Sequence, residues 1–218
     1  MTDLPPPVLY EQQDGIAVIT LNRPEKKNAI NLAMAHLIQR YLQQAEQDEK
    51  VRVILLTGQP QVFSAGMDVK AFQQGELPVV DPNGFAGLVH ARLTKVIIAA
   101  VDGIAFGGGF EIALACDLIV AGRDAQFSFP ETGLGLIAAQ GGCSRLPVRI
   151  SPYIALDWLL TGRVIGVEEA WRHGVISRFS EGSALEEARL IAVQIAQKNP
   201  LATQAVKAIV RHGMTQHE

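Results

Sequence analysis

Cysteine is scarce in this 218-residue chain: Cys116 and Cys143 are too few for a disulfide framework, and Cys116 sits in an apolar run where it reads as a small buried hydrophobe. Aromatic residues amount to only 6%. The five histidines, His36, His90, His173, His212 and His217, show no metal-ligand spacing, so no metal site is expected. There is no basic excess: 19 Lys and Arg against 22 Asp and Glu leave a net charge of −3, which argues against a nucleic-acid partner. No apolar run reaches the ~20 residues of a membrane span, because Gly, Asp or Glu interrupts each of the longest. The opening MTDLPPPVLYEQQDG has no basic stretch followed by an apolar core, so neither a signal peptide nor a transit peptide is expected. Together these absences point to a soluble protein of a reducing compartment, the cytoplasm by default. Neither an internal repeat nor a low-complexity tract is visible, and no Gly-x-Ser-x-Gly elbow surrounds Ser64.

What the chain has in quantity is apolar residues, 48% of the total, ample for a buried core. Its length suits one α/β domain, with room for a second small lobe. Val8 to Gln12 and Ile16 to Leu21 flank Asp14-Gly15 and read as two strands joined by a tight turn. From Asn31, apolar residues recur at helical spacing through Ala45, and Val51 to Leu56 reads as a strand. Phe72 to Phe85 reads as a mobile loop, and a helix is expected from about Phe85 to Lys95, leading into a strand at Ile97 to Val101. Strands follow at Leu118 to Ala121, Ala125 to Phe129 and Val175 to Phe179. Helices are expected at Ser151 to Leu160, Val167 to His173 and Ser183 to Lys198, the last broken by Asn199-Pro200, with another beginning near Leu201. A sheet-rich body over residues 1–180 and a helical region from 181 to 218 follow from this order.

One stretch carries most of the functional information. Ile97 to Gly122, IIAAVDGIAFGGGFEIALACDLIVAG, has only Asp102, Glu111 and Asp117 as charges. Glu111 follows the glycines Gly107 to Gly109 and enters an apolar helix. Glycines before a helix let another molecule approach the backbone, and the first N–H groups of the helix have no internal partner. They suit an oxygen bearing negative charge. A carboxylate beside them in apolar surroundings should have a raised pKa. Two further segments share the pattern of strand, glycine turn and helix start: Phe63-Ser64-Ala65-Gly66-Met67-Asp68 and Phe129-Pro130-Glu131-Thr132-Gly133-Leu134-Gly135. Two backbone N–H groups from different turns can hold one thioester oxygen as it becomes negative, while two carboxylates divide acid and base work.

The three segments in this order resemble the crotonase, or enoyl-CoA hydratase/isomerase, superfamily. The resemblance begins at Leu21-Asn22-Arg23-Pro24 and Lys27-Asn28-Ala29-Ile30 and runs through SAGMD, AFGGGFEIALACD, AQFSFPETGLG and TGRVIGVEEAWRHGVIS. It implies an α/β spiral of ββα units with a helical C-terminal part, assembled as trimers or dimers of trimers and acting on an acyl-CoA thioester, with no cofactor besides the CoA of the substrate. By position, the resemblance makes the N–H groups of Met67 and Gly108 the oxyanion hole, Glu111 the group that activates water, and Glu131 the group that exchanges a proton with the α-carbon. Lys27, Ala29, Ala65, Asp68, Val69, Phe106, Pro130 and Leu134 match positions that hold CoA or substrate. Asp68 equally suits a helix cap, and Lys27 a solvated loop. No role carries over to Asp102 or Asp117, which read as structural.

Where the family commonly has Pro-Gly-x-Gly-Gly, this chain has Ala138-Ala139-Gln140-Gly141-Gly142. Ala139 thus stands where a glycine N–H often helps to hold the attacking water. The resemblance favours an enoyl-CoA hydratase, since both glutamates are present. The alternatives are an enoyl-CoA double-bond isomerase, which needs mainly the carboxylate at Glu131, and a non-catalytic acyl-CoA-binding member.

Overall fold

A computed structural model describes residues 5–58 and 61–215. Strands β1 (Val8–Gln13) and β2 (Ile16–Leu21) pair antiparallel around Asp14 and Gly15, both in the left-handed region at φ 51° and 80°, as a two-residue hairpin turn requires. Helix α1 (Leu32–Gln47) starts at Asn31, whose side chain accepts from Met34 N at 3.0 Å, and buries Met34, Ala35, Ile38, Leu42 and Ala45. Then come β3 (Val53–Gly58), β4 (Val62–Ser64), α2 (Val69–Gln73), β5 (Val79–Val80), β6 (Gly84–Phe85), β7 (Val96–Val101), β8 (Ile104–Phe106) and α3 (Gly108–Ala115). The chain continues through β9 (Leu118–Gly122), β10 (Gln126–Ser128), α4 (Gly142–Arg149), α5 (Pro152–Thr161), β11 (Ile165–Gly166), α6 (Val167–Arg172), β12 (Arg178–Ser180), α7 (Ala184–Ala196) and α8 (Pro200–Thr215).

The path winds between two sheets. Strands β3, β7 and β9 lie side by side and parallel in a six-stranded sheet of order β1-β2-β3-β7-β9-β12. Each is followed at once by a short strand, β4, β8 or β10, that joins a second sheet of order β11-β10-β8-β4. This is the expected spiral of ββα units, repeated in topology though not in sequence. The large sheet is apolar on both faces, as parallel sheets are. Ala17, Ile19, Leu21, Ile54, Leu56, Ala99, Val101, Ile119 and Ala121 face the main core, while Ile16, Val18, Val53, Leu55, Ile98, Ala100 and Val120 face α7. Helix α7 meets them with Ala184, Ala188 and Ala192, four residues apart, and its first turn is tied down by Asp102, which accepts from Ala184 N at 3.0 Å. Asp117 is structural too: it pairs with Lys207 at 2.8 Å and Arg211 at 2.7 Å on α8.

Several expectations are corrected here. Phe85 to Lys95 is not a helix: Ala86 and Gly87 both take left-handed φ, 55° and 62°, which breaks it into turns. Phe72 to Phe85 is not an unstructured loop, since α2 ends at Gln73 and β5 and β6 form a small antiparallel pair. The strand foreseen at Val175 to Phe179 forms only at Arg178–Ser180. Helix α4 was not foreseen, because Gly141-Gly142 and Pro147 mask it. His217 lies outside the described residues.

Candidate active site

Parallel pairing of β4 with β8 sets two glycine turns side by side as the chain leaves the small sheet. The backbones touch: a Cβ on Gly66 would lie 2.7 Å from Phe106 O and 2.9 Å from Gly108 N, and one on Gly109 only 2.3 Å from Ser64 O. Gly66 also sits at φ +90°. Glycine is therefore needed for contact as well as conformation. The Met67 turn is fixed from its other side by Ile30, through Ile30 N to Gly66 O at 2.7 Å and Asp68 N to Ile30 O at 2.9 Å. Those bonds leave the Met67 N–H uncommitted to the bridge. Gly108 is the first residue of α3, so its N–H is one of the donors a helix cannot satisfy internally. The side chain of Phe85 packs over Gly108.

Glu111 lies in the first turn of α3 and is only 3% exposed. Its Oε1 accepts from Gln140 N at 2.7 Å and from Gly142 N at 3.0 Å, so the carboxylate occupies the N-terminus of α4. Burial pushes its pKa up, opposed by those two N–H groups and by the positive charge of Arg145. Glu131 comes from the 3₁₀ turn Pro130–Leu134 that follows β10. Its Oε1 lies against Gly107, 2.8 Å from where a Cβ would stand, and its Oε2 is buried without a hydrogen-bond partner. Burial raises its pKa to about 7, with a further push from the charge of Glu111. Two carboxyls with different surroundings, one gripped by two N–H groups of α4 and its lead-in and one with an unpartnered oxygen, thus flank the glycine turn.

The other sequence-predicted residues fall around this centre unevenly. Lys27 to Ala29 and Ala65 to Val69 are brought together, with Ala65 N donating to Lys27 O at 2.9 Å; Lys27 and Val69 are exposed. The Asp68 carboxylate is already engaged: it caps α2 through Lys70 N and Ala71 N and pairs with Arg23 at 2.8 Å. Phe106 is half-buried beside the glycine turn, whereas Pro130 is exposed and Leu134 is 66% exposed. The N–H of Ala139, expected to help hold water, donates instead to Ile137 O at 2.8 Å, while its neighbours Gln140 and Gly142 grip Glu111. Sequence reasoning missed those two donors and Arg145; backbone N–H groups leave no mark in side-chain identity. Cys116 is buried, its thiol pushed up to about 12 by burial, as befits a packing residue.

Comparison with known proteins bears on the family and the fold. The family described as enoyl-CoA hydratase/isomerase matches residues 11–218. The carnitinyl-CoA dehydratase of Escherichia coli strain K12 is 43% identical over 202 residues, covering 90% of this chain and 77% of that protein. Among solved structures, an enoyl-CoA hydratase from Mycobacterium tuberculosis H37Rv superposes with a TM-score of 0.91 at 44% identity, covering 94% of this chain and 82% of that one. A carnitinyl-CoA dehydratase from Mycobacterium avium 104 gives 0.90 at 40% identity, with the same coverage. Two glycine turns in backbone contact, two carboxyls beside them and likeness over nearly the whole length make this chain a member of the enoyl-CoA hydratase/isomerase family.

Proposed function

We propose that this protein adds water across the C2–C3 double bond of a 2-enoyl-CoA thioester, and removes it in the reverse direction. The observation that carries the reading is the unequal pair: Glu111 pinned through one oxygen by two N–H groups, and Glu131, half-buried beside it, with one buried, unpartnered oxygen and a pKa near neutrality. The thioester oxygen accepts from the N–H groups of Met67 and Gly108. The second oxygen of Glu111 takes a proton from water as that water attacks C3, and the π electrons move onto the thioester oxygen. Glu131 then delivers its proton to C2 as the carbonyl reforms. In dehydration Glu131 removes the C2 proton and Glu111 protonates the departing hydroxyl. Both directions use the pair with a single proton, and no cofactor besides the CoA of the substrate is required.

A double-bond isomerase would need only one carboxyl to shuttle a proton between carbons, and the two N–H groups on Glu111 would then have no catalytic purpose. The adjoining Lys27–Ala29 and Ala65–Val69 segments are assigned to the CoA moiety. A trimer, or a dimer of trimers, is supported by the apolar side chains left outside on α5 and the adjacent Pro130 turn, among them Tyr153 at 82% and Leu160 at 66% exposed. We place the protein in the cytoplasm, where its two free cysteines stay reduced; no helix among the described residues is long and apolar enough to cross a membrane.

Glu111→Gln and Glu131→Gln decide between hydratase and isomerase. Each should lower hydration of crotonyl-CoA, followed by loss of the conjugated enoyl absorbance, by ~10²–10⁴. An isomerase would instead keep converting 3-enoyl to 2-enoyl thioesters in the Glu111→Gln variant. Near-parental hydration by Glu111→Gln refutes the assignment of the base.

A further inference from the structure

Helix α4 carries a residue, Arg145, that is bonded to the loop that grips Glu111. Gly141 adopts φ +118°, and a Cβ there would fall 1.7 Å from Nη1 of Arg145, so the missing side chain makes room for the guanidinium to lie on the loop backbone. Nη1 of Arg145 donates to Gln140 O at 3.0 Å, and Nη2 donates to Val89 O. The Gln140–Gly141 peptide held in this way sits between the two donors to Glu111, Gln140 N and Gly142 N. Val89 belongs to the turns that follow Phe85, the ring packed over Gly108.

We infer that Arg145 is the positioning residue of the water-activating base: by tying the Gln140–Gly141 peptide to Val89 it aims two N–H groups at Glu111 Oε1 and leaves the other oxygen to the water. The inference rests on the hydratase reading. A guanidinium suits the task because its planar fork reaches two separate carbonyls at once, which an ammonium does not do in fixed geometry. Without it, the freedom of Gly141 lets the peptide rotate and the grip on Glu111 loosens. The charge acts in the same direction, favouring the ionised base. The other groups that face this region are Glu131 from the Pro130 turn, Cys143 from α4 itself and His90 from the turn beyond Val89, which lines the same cavity as Arg145.

The test compares Arg145→Met and Arg145→Lys with the parent. A 1 Å misplacement of a reacting group costs up to ~10²-fold, so kcat of Arg145→Met should fall by ~10–10² while KM for crotonyl-CoA holds. Its acid limb should move to higher pH, because Glu111 loses a cation and well-aimed donors. Arg145→Lys should return the acid limb toward the parental position but leave kcat low, since the charge is restored and the fork is not. Arg145 lines a cavity of about 880 Å³, so free guanidinium should partly rescue Arg145→Ala. A ¹³C titration of the Glu111 carboxyl in substrate-free protein follows the same shift without turnover. An Arg145→Met protein with parental kcat and an unmoved Glu111 titration overturns the inference; a parent that does not hydrate crotonyl-CoA overturns the hydratase reading instead, leaving the titration to judge Arg145. Should Arg145→Met not fold, Arg145→Lys carries the test, and parental kcat in it refutes the need for a fork.

Discussion

One methyl group at Gly66 should separate the two backbone turns on which the thioester oxygen depends. In Gly66→Ala the new Cβ would start 2.7 Å from Phe106 O and 2.9 Å from Gly108 N, against the 3.4 Å or more of ordinary contact. The turns must therefore part by roughly half an ångström, and the neighbours are backbone atoms that no rotamer change can move. Two costs add. Holding alanine at φ +90° costs about 1–2 kcal/mol. Overpacking a filled site costs about 1–3 kcal/mol more. At about 2–4 °C per kcal/mol for a chain of this size, the melting temperature should fall by roughly 4–20 °C. Misplacing one oxyanion donor should lower kcat by ~10²–10³. KM should change little, because that oxygen gains its charge only in the transition state. Gly75→Ala is the control: Gly75 has φ +86°, yet nothing lies within 4 Å of its Cβ position. It should lose stability through conformation alone and keep its rate. Thermal melts followed by circular dichroism, with crotonyl-CoA hydration on both variants, make the comparison. A folded Gly66→Ala enzyme with the turnover of Gly75→Ala would show that the contact between the turns does not set the donor geometry.

Two further outcomes follow from charge. Hydration should have a bell-shaped pH profile: the alkaline limb falls near pH 7, as Glu131 loses the proton it must deliver, and the acid limb lies above the ordinary glutamate range, because burial raises Glu111 too. An alkaline limb well above pH 8 would remove Glu131 from the role of acid. Asp117→Asn should release α8, since Lys207 and Arg211 lose their shared carboxylate; breaking such a largely buried pair costs about 3–5 kcal/mol, visible as faster amide exchange across 200–215, and unchanged protection there would refute it.

Much of the fold was legible because its signals are local. Asp14-Gly15 makes the hairpin turn, Asn31 and Ser183 cap their helices, and the apolar runs of β2, β3, β7 and β9 form strands close to where they were expected. What was hidden depends on distant contacts. Ala86 takes a left-handed φ that its identity does not announce, so a helix was read where turns exist. Helix α4 survives Pro147 and two leading glycines because Glu111, far away in sequence, fills its N-terminus. At the site, Glu111 stood out by its apolar surroundings, and Glu131 by its strand, turn and helix-start segment and the family it resembles. Their division into a carboxyl gripped by two donors and one with an unpartnered oxygen did not, because the donors at Gln140 and Gly142 are main-chain atoms.

The alanine face of α7 has a consequence for the birth of the protein. The outer face of the large sheet, from Ile16 to Val120, is covered by residues that begin only at Ala184. Ala184 follows Val120 by 64 residues, so at ~5–20 residues per second the ribosome needs about 3–13 s to deliver the cover. Throughout that interval the nascent sheet presents Val53, Leu55, Ile98 and Val120 to solvent, and a chain stalled before α7 is a natural client for chaperones.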